Sequence, residues 1–153
     1  MSDFAGIYLP EDLTNAIKQG KVVGTLATFS KKCTPHLAPI QHVWVKGQYS
    51  LLFALNKDSN TYQNLCWQKE VAFNFMGSPN ISYTLYGKAG AVVTPSKNHP
   101  VMYIVRMDIN KVYDNTYPLS YITSGVKWKY TSEIAKEMHE KFIEEFKRLE
   151  EVL

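Results

Sequence analysis

The sequence has only two cysteines, Cys33 and Cys66, and only two arginines, Arg106 and Arg148. So few cysteines exclude a disulfide-rich scaffold. The scarcity of arginine argues against nucleic-acid binding, because base recognition depends strongly on that side chain. No apolar run approaches the roughly 20 residues of a membrane-spanning helix, and the first residues show no basic and apolar leader. We therefore expect a cytoplasmic protein with no membrane partner and no nucleic-acid partner.

The common signatures of nucleotide, zinc and hydrolase sites are also missing. There is no glycine-rich dinucleotide or Walker loop, no His-Glu-x-x-His, no Cys-x-x-Cys and no Gly-x-Ser-x-Gly. The acidic residues outside the C-terminal segment are few, and nothing in their spacing points to a catalytic pair. The sequence therefore assigns neither a metal site nor a catalytic residue.

What is present is the composition of one globular domain over residues 1–153, with 45% hydrophobic and 20% charged residues. Residues 1–130 carry seven acids and thirteen bases, whereas the remainder carries seven acids and four bases. A basic body suits an anionic ligand such as a phosphate, although solubility alone also explains this charge.

Helical patterns occupy the two ends of the chain. Pro10 suits the first turn of a short helix that Gly20 ends. A long helix is predicted over about 131–152, with Thr131 or Ser132 as its cap. One apolar stripe runs along this helix: Ile134, Met138, Phe142, Phe146 and Leu149. We expect the stripe to pack on the body of the protein or on a second subunit.

Between these helices the pattern is mainly that of β-strands. Strands are predicted over 21–29, 35–45, 49–55, 71–76, 81–94, 101–113 and 117–123, with a short helix over 61–67. Gly87 and Gly90 indicate a bend or bulge in the long fifth strand. Six or seven strands in hairpin succession predict a small antiparallel barrel over about 20–124.

Four histidines are candidates for a ligand site. His36 and His42 lie six residues apart on one predicted strand, so regular alternation places them on the same side. They could contact a ligand or a metal together, but hydrogen-bonded structural roles are the commoner explanation. We expect His99 and His139 to lie at the surface.

The order of short motifs is more informative than any one of them. These are LPED (9–12), LAT (26–28), PHLAPI (35–40), LFALNKDS (52–59), NL (64–65), VAF (71–73) and YGKA (86–89). This order resembles the pyridoxamine 5′-phosphate oxidase-like family of FMN-binding split barrels, over about residues 9–113. The resemblance implies a six-stranded antiparallel split β-barrel with a short N-terminal and a long C-terminal helix. It also implies a homodimer with FMN at the interface.

The resemblance also implies a set of FMN-binding residues. The matching positions are His36, Leu37, Ala38, Pro39, Ile40 and Gln41 along the second strand, Ala54 and Leu55 at the end of the third, and Ser59, Asn60 and Thr61 around the phosphate. A loop that leads into a helix offers free N–H groups and a positive dipole end to an anion. The alternative is an ordinary helix cap by Ser59 or Asn60.

The sequence departs from the family at the phosphate. Many members have a basic pair after the serine, where this chain has Asn60 and Thr61; Lys57 could supply one charge instead. The departure leaves room for the deazaflavin F420 or for haem. Trp128, between two lysines, could stack on a flavin across the dimer or anchor the C-terminal helix.

We therefore expect a small FMN-dependent oxidoreductase with a small-molecule substrate or a redox partner. True pyridoxamine phosphate oxidase activity is not favoured, because the basic residues that grip its substrate near the C-terminus are not found. The alternatives are a non-catalytic flavin-binding or electron-transfer module, a haem-handling protein ligated by one of its four histidines, and a barrel with only a structural role.

Overall fold

The fold is that of a computed structural model, which describes residues 2–153. Within this part of the chain, three helices accompany eight strands. In chain order the elements are β1 (Asp3–Gly6), α1 (Glu11–Lys18), β2 (Val22–Phe29), β3 (Pro35–Ile40), β4 (Val43–Lys46), β5 (Ser50–Asn56), α2 (Asn60–Trp67), β6 (Glu70–Gly77), β7 (Ile81–Val93), β8 (Met102–Asp114) and α3 (Glu133–Val152).

All the strands belong to one antiparallel sheet that curls into a split barrel. Seven strands follow the order β3-β2-β6-β7-β8-β5-β4, and β1 pairs with the end of β8. β3 and β4 lie at opposite ends of this order, yet only Gln41 and His42 separate them in the chain. Since so short a link spans about 11 Å at most, the two ends of the sheet must come together. The prediction of a mainly β, antiparallel split barrel with flanking helices is confirmed in this form.

The number and bounds of the strands differ from those predicted. The predicted strand 35–45 is two strands, β3 and β4, because the chain crosses at Gln41 and His42 from one end of the sheet to the other. β1 was not predicted. The expected count of six strands is therefore too low.

The predicted strand 117–123 is irregular, and the strands end at Asp114 rather than near residue 124. Pro118 has no N–H to donate to a sheet. Ile122 bonds to one residue instead: its carbonyl accepts from the Asn80 N–H at 2.9 Å, and its N–H donates to Asn80 Oδ1 at 3.1 Å. These two hydrogen bonds to a single residue stand in place of a strand ladder.

Gly87 marks a bulge where β7 curls against β8, as its position in the strand predicts. The pairing register shifts between Tyr86 and Gly87. A Cβ atom on Gly87 would lie 2.0 Å from the carbonyl oxygen of Asp108. The close approach of the two backbones therefore requires glycine.

Two hydrophobic cores lie on opposite sides of β5. The barrel interior contains Leu51, Phe53 and Leu55, together with side chains of α1, β6 and β7. The other face of β5 contributes Leu52 and Ala54 to a second core beneath α3. β5 is thus buried on both faces, which explains its continuous apolar sequence.

α3 packs on its own barrel through the centre of its apolar stripe. Phe142 and Phe146 are fully buried in the second core, whereas Ile134 is 73% exposed. Ser132 caps the helix by accepting a hydrogen bond from the Ala135 N–H at 3.1 Å. The carboxylate of Glu145, which is 3% exposed, ties the helix to residues 96–98. No helix among the described residues is long and apolar enough to cross a membrane.

α1 begins directly after Pro10, and Gly20 follows its end with a φ of +66°. The first turn is tied to the barrel because the Tyr83 hydroxyl donates to both carboxylate oxygens of Asp12, at 3.1 and 3.0 Å. Burial and this hydrogen bond raise the pKa of the Tyr83 phenol. The phenol therefore stays protonated as a donor.

We expect Tyr83→Phe to lower the free energy of unfolding by about 1.5 kcal/mol, because a hydrogen bond to a charged group is lost. Tyr86→Phe is the matched control, since no partner of the Tyr86 hydroxyl is found within residues 2–153. It should change the free energy by less than about 0.5 kcal/mol. Urea unfolding of the two variants measures the difference, and equal effects would exclude the Asp12 contact as a source of stability.

Candidate functional site

A cleft opens where the barrel is split, and we call it the split cleft. It has a volume of about 340 Å³, which is at the lower end of the range for small-molecule sites. It is bounded by β3, the link to β4, the end of β5 and the start of α2. Its lining residues are Ala38, Pro39, Ile40, Gln41, His42, Ala54, Leu55, Asn56, Ser59 and Thr61.

β3 forms one wall of the split cleft and is an edge strand. It pairs only with β2, so its other edge presents backbone groups that no strand satisfies. Its side chains alternate: His36 and Ala38 are half-buried and Ile40 is buried, whereas Leu37 is 67% exposed. Prolines are tolerated on such an edge because one side of the strand needs no donors.

The start of α2 forms the opposite wall. Ser59 caps this helix: its hydroxyl accepts from the Tyr62 N–H at 3.1 Å and donates to the Asn56 carbonyl at 2.7 Å. The alternative of an ordinary helix cap is thus observed. The first helical N–H groups, those of Asn60 and Thr61, have no partner within the helix. The positive end of the helix dipole lies beside the split cleft.

A hydrogen bond joins the two walls. Thr61 Oγ1 lies 3.2 Å from His36 Nε2, and Thr61 is buried. A second bond, from Asn64 Nδ2 to Thr28 Oγ1 at 3.0 Å, connects α2 to β2. These contacts fix the start of α2 relative to the β3 edge, so the shape of the split cleft is set before any ligand arrives.

The split cleft contains no ionised side chain. Apart from His42, its lining residues are apolar or carry neutral amides and hydroxyls. Lys57 and Asp58 lie in the loop just before α2 but do not line the cleft. The groups of the site that suit an anion are therefore the backbone dipoles at the start of α2.

Most of the residues predicted to bind a cofactor come together in the split cleft. Eight of them line it: Ala38, Pro39, Ile40, Gln41, Ala54, Leu55, Ser59 and Thr61. His36 is not a lining residue, but its Nε2 bonds to Thr61, which is one. Leu37, Lys57 and Asn60 are near in sequence but outside the lining.

Trp128 lies elsewhere in the chain. It lines a larger cleft of about 580 Å³ between α1, α3 and the segment before α3, which we call the helix cleft. Trp44, Tyr130 and His139 share that lining, and Gln41 belongs to both clefts. A contact between Trp128 and a ligand of the split cleft across a dimer stays a prediction.

Asn56 and His42 line the split cleft but were missing from the predicted set. Asn56 directly follows Leu55, and this adjacency to a predicted residue was the only sequence signal for it. His42 was identified as a candidate ligand residue together with His36, but the expectation that they share one strand face is wrong. The strand ends between them, so His36 bonds to Thr61 whereas His42 belongs to the link.

His42 forms a half-buried pair with His139 of α3. Their Nδ1 atoms are 2.8 Å apart, and the His42 ring also lies against Phe142 with 4.8 Å between ring centroids. The expectation that His139 is a surface residue is therefore wrong; it is half-buried because α3 packs over β4 and β5. Burial, and then the charge of His139, lower the pKa of His42 to about 4. Burial also lowers the pKa of His139, against a smaller opposite effect of Glu140.

Residues 2–153 contain no cluster of three or more histidine, cysteine or carboxylate side chains arranged to hold a metal ion. Cys33 and Cys66 are exposed free thiols. The split cleft is therefore a neutral site without a metal cluster, formed by an edge strand, a helix start and one member of a histidine pair.

No protein-family model and no curated protein matches the sequence. Solved structures share its fold. A proposed pyridoxamine 5′-phosphate oxidase from Lactobacillus delbrueckii is 18% identical with a TM-score of 0.60, covering 69% of this chain and 93% of that chain. An FMN-binding protein from Syntrophomonas wolfei is 17% identical with a TM-score of 0.57, covering 68% and 84%. HutZ, a haem storage protein from Vibrio cholerae, is 12% identical with a TM-score of 0.56, covering 69% and 94%.

An F420 reductase has the same fold, with 16% identity and a TM-score of 0.55 over 68% of this chain and 98% of that chain. Identities this low establish a common fold and leave the ligand open. By their names, these neighbours handle different cofactors. The chain therefore has the fold of the pyridoxamine 5′-phosphate oxidase-like split barrels.

Proposed function

We propose that this chain binds FMN in the split cleft and acts as a small flavin-dependent oxidoreductase. The observation that carries the proposal is the meeting of an edge strand, a strand end and a helix start around one neutral cleft. A flavin has a flat ring with polar edges and a terminal phosphate. These features match an edge of unpaired backbone groups and a helix N-terminus, respectively.

The residues at the helix start suit a phosphate, but they bind it more weakly than a basic pair would. The N–H groups of Asn60 and Thr61 are available, and the hydroxyl of Ser59 is held in place by its two hydrogen bonds. Lys57 precedes the helix start by three residues and carries the one positive charge of this loop, next to the negative charge of Asp58. We therefore expect an FMN affinity that depends on the helix start more than on side-chain charge.

The chain's own residues bind, orient and shield the cofactor. The apolar side chains of Ala38, Ile40 and Leu55 exclude water from one side of the cleft. The backbone edge of β3 orients the polar edge of the ring. The bound flavin would supply hydride or electron transfer, which explains why the sequence shows no acid–base pair.

We also propose that the protein is a homodimer whose second copy covers the open side of the split cleft. The apolar side chain of Leu37 and the unpaired edge of β3 are exposed beside this opening. An edge strand with an exposed apolar side chain favours association with another surface. Light scattering that reports a monomer at micromolar concentration would contradict this part of the proposal.

Haem binding is less well supported by the geometry. His42 and His139 are bonded to one another, and His36 is bonded to Thr61. Ligation of iron through His36 Nε2 would break the contact with Thr61. Ligation through the Nε2 atom of His42 would leave the bond to His139 in place, but only one histidine lines the split cleft. F420 has a ring of similar shape and also carries a phosphate, so the shape of the cleft suits both cofactors. Separate titrations with FMN and with F420 distinguish them.

The first test is the visible spectrum of the purified protein before and after addition of FMN, followed by a titration of the Asn60→Asp variant. We expect the variant to bind FMN about tenfold more weakly, or about 1.4 kcal/mol, because the new carboxylate repels the phosphate. The substitution should not weaken the fold, because Asn60 is exposed and an acidic residue suits the start of a helix. Asn60→Arg should tighten FMN binding.

Riboflavin, which lacks the phosphate, is the matched ligand control and should bind wild type and Asn60→Asp equally. Asn15→Asp adds the same charge at an exposed position of α1, outside the split cleft, and should leave FMN binding unchanged. If wild type binds no FMN, or if Asn60→Asp binds FMN as tightly as wild type does, the proposed site is wrong.

A further inference from the structure

The pair of His42 and His139 connects the two clefts of the molecule. His42 lines the split cleft and His139 lines the helix cleft, and their Nδ1 atoms are 2.8 Å apart. This distance requires a hydrogen bond in which one Nδ1 carries a proton and the other accepts it. In a neutral pair the two rings are therefore opposite tautomers.

The outer nitrogens of the pair remain available. Neither Nε2 atom has a hydrogen-bond partner within residues 2–153. Every fully buried side-chain nitrogen or oxygen of those residues does have a partner, so both Nε2 atoms are in contact with solvent. The ring that accepts at Nδ1 carries its proton on Nε2, and the other ring has a free Nε2 lone pair.

Reduction and reoxidation of a flavin change the number of protons on its ring, and the split cleft has only one titratable lining residue, His42. We propose that His42 and His139 form a proton relay between the helix cleft and a flavin in the split cleft. The inference rests on the proposed function, and it assigns His139 a role although it does not line the split cleft. His42 would be the residue that exchanges the proton with the ligand.

The proton movements balance without a further reactant. His139 Nε2 takes a proton from water, the His139 Nδ1 proton crosses to His42 Nδ1, and the His42 Nε2 proton passes to the ligand. One proton enters and one leaves, and both rings end as the opposite tautomers. When the cofactor is reoxidised the proton returns by the reverse steps, which restores the starting tautomers. A cycle of reduction and oxidation therefore resets the relay.

The surroundings of the pair keep it neutral between transfers. On α3 the charged residues that line the helix cleft are Lys136, Glu140, Glu144 and Lys147, α1 adds Lys18, and Tyr130 lies 5.7 Å from the His139 ring between centroids. β3, β5 and the start of α2 contribute no charged lining residue on the other side. Burial lowers the pKa of both rings, so a proton taken up from the helix cleft is passed on readily.

The tautomers can be tested on the protein without cofactor. Nitrogen-15 NMR of the histidine rings at pH 7 should show two neutral imidazoles of opposite tautomer for His42 and His139. His42→Gln and His139→Gln assign the signals. Two rings of the same tautomer, or a charged ring at pH 7, would overturn the relay.

The transfer itself is tested on the FMN-loaded protein by anaerobic reduction with dithionite in a stopped-flow instrument. We expect His139→Gln to reduce at least tenfold more slowly at pH 7 to 8, and added imidazole to restore the rate. His99→Gln, which removes a histidine outside the pair, should behave like wild type. The FMN dissociation constants of both variants should equal that of wild type.

The outcomes separate the relay from the proposed function. A wild-type protein that binds no FMN overturns both. A protein that binds FMN, with His139→Gln reduced at the wild-type rate, overturns the relay alone. A slower His139→Gln that imidazole does not rescue also overturns it, because a merely structural loss is not repaired by a free proton carrier.

Discussion

Replacing Glu145 with alanine is expected to lower the free energy of unfolding by about 3 kcal/mol. The carboxylate is 3% exposed and accepts hydrogen bonds from Ser96 Oγ at 2.6 Å, the Lys97 N–H at 3.1 Å and Asn98 Nδ2 at 2.7 Å. Alanine removes the acceptor of all three donors. The cost is large because Ser96 is itself buried and has no water to replace the lost bond.

Urea unfolding of Glu145→Ala and of Glu144→Ala measures this effect against a matched control. Glu144 is the neighbouring acid on the exposed side of α3, and its loss should cost less than about 0.5 kcal/mol. Glu145→Gln keeps one acceptor oxygen and should fall between the two. Equal stability of the two alanine variants would show that the loop of residues 96–98 does not hold α3.

Acid is expected to destabilise the protein through His42, by about 3 kcal/mol between pH 6.5 and pH 4. Burial, reinforced by His139, lowers the pKa of this imidazole from 6.5 to about 4 in the folded protein. Between these values the unfolded chain binds a proton that the folded chain does not. The free energy of unfolding must therefore fall as the pH falls through this window. A pKa difference of this size corresponds to about 3 kcal/mol.

The comparison of wild type with His42→Phe isolates this contribution, because the carboxylates titrate in both proteins. Phenylalanine retains a ring against Phe142 and cannot be protonated. We expect the variant to lose about 3 kcal/mol less than wild type between pH 6.5 and pH 4, whereas His99→Gln follows wild type. Parallel stability curves for wild type and His42→Phe would show that His42 titrates alike in the folded and unfolded chains.

Elements with strong local signals were predictable from the sequence. The stripe on α3 predicted a long helix over about 131–152, and the structure has it at Glu133–Val152 with Ser132 as the cap. Gly87 predicted an irregularity in β7. In both cases the deciding interactions are made by neighbours in the chain or by the backbone itself, so the sequence pattern is sufficient.

The cleft residues were predictable where they follow one another along a strand or a helix start. The segments around Ala38, Ala54 and Ser59 were identified by resemblance, and the structure brings them to one cleft. Within β3 the lining begins at Ala38, so His36 and Leu37 at the start of the strand lie outside it. Trp128 was assigned by its position between lysines, a signal that carries no information about which cleft it faces.

The sequence by itself determined the mainly β class and the two terminal helices, because hydrophobic period, caps and turns act over a few residues. The segments that meet at the cleft were indicated by the family resemblance and not by these local patterns. Only the tertiary structure decided that β3 ends at Ile40, because the sheet must curl to join its ends. The same folding places α3 over β4 and so brings His139 within 2.8 Å of His42, across 97 residues of sequence. No local pattern encodes such a contact, since it follows from how two distant elements pack.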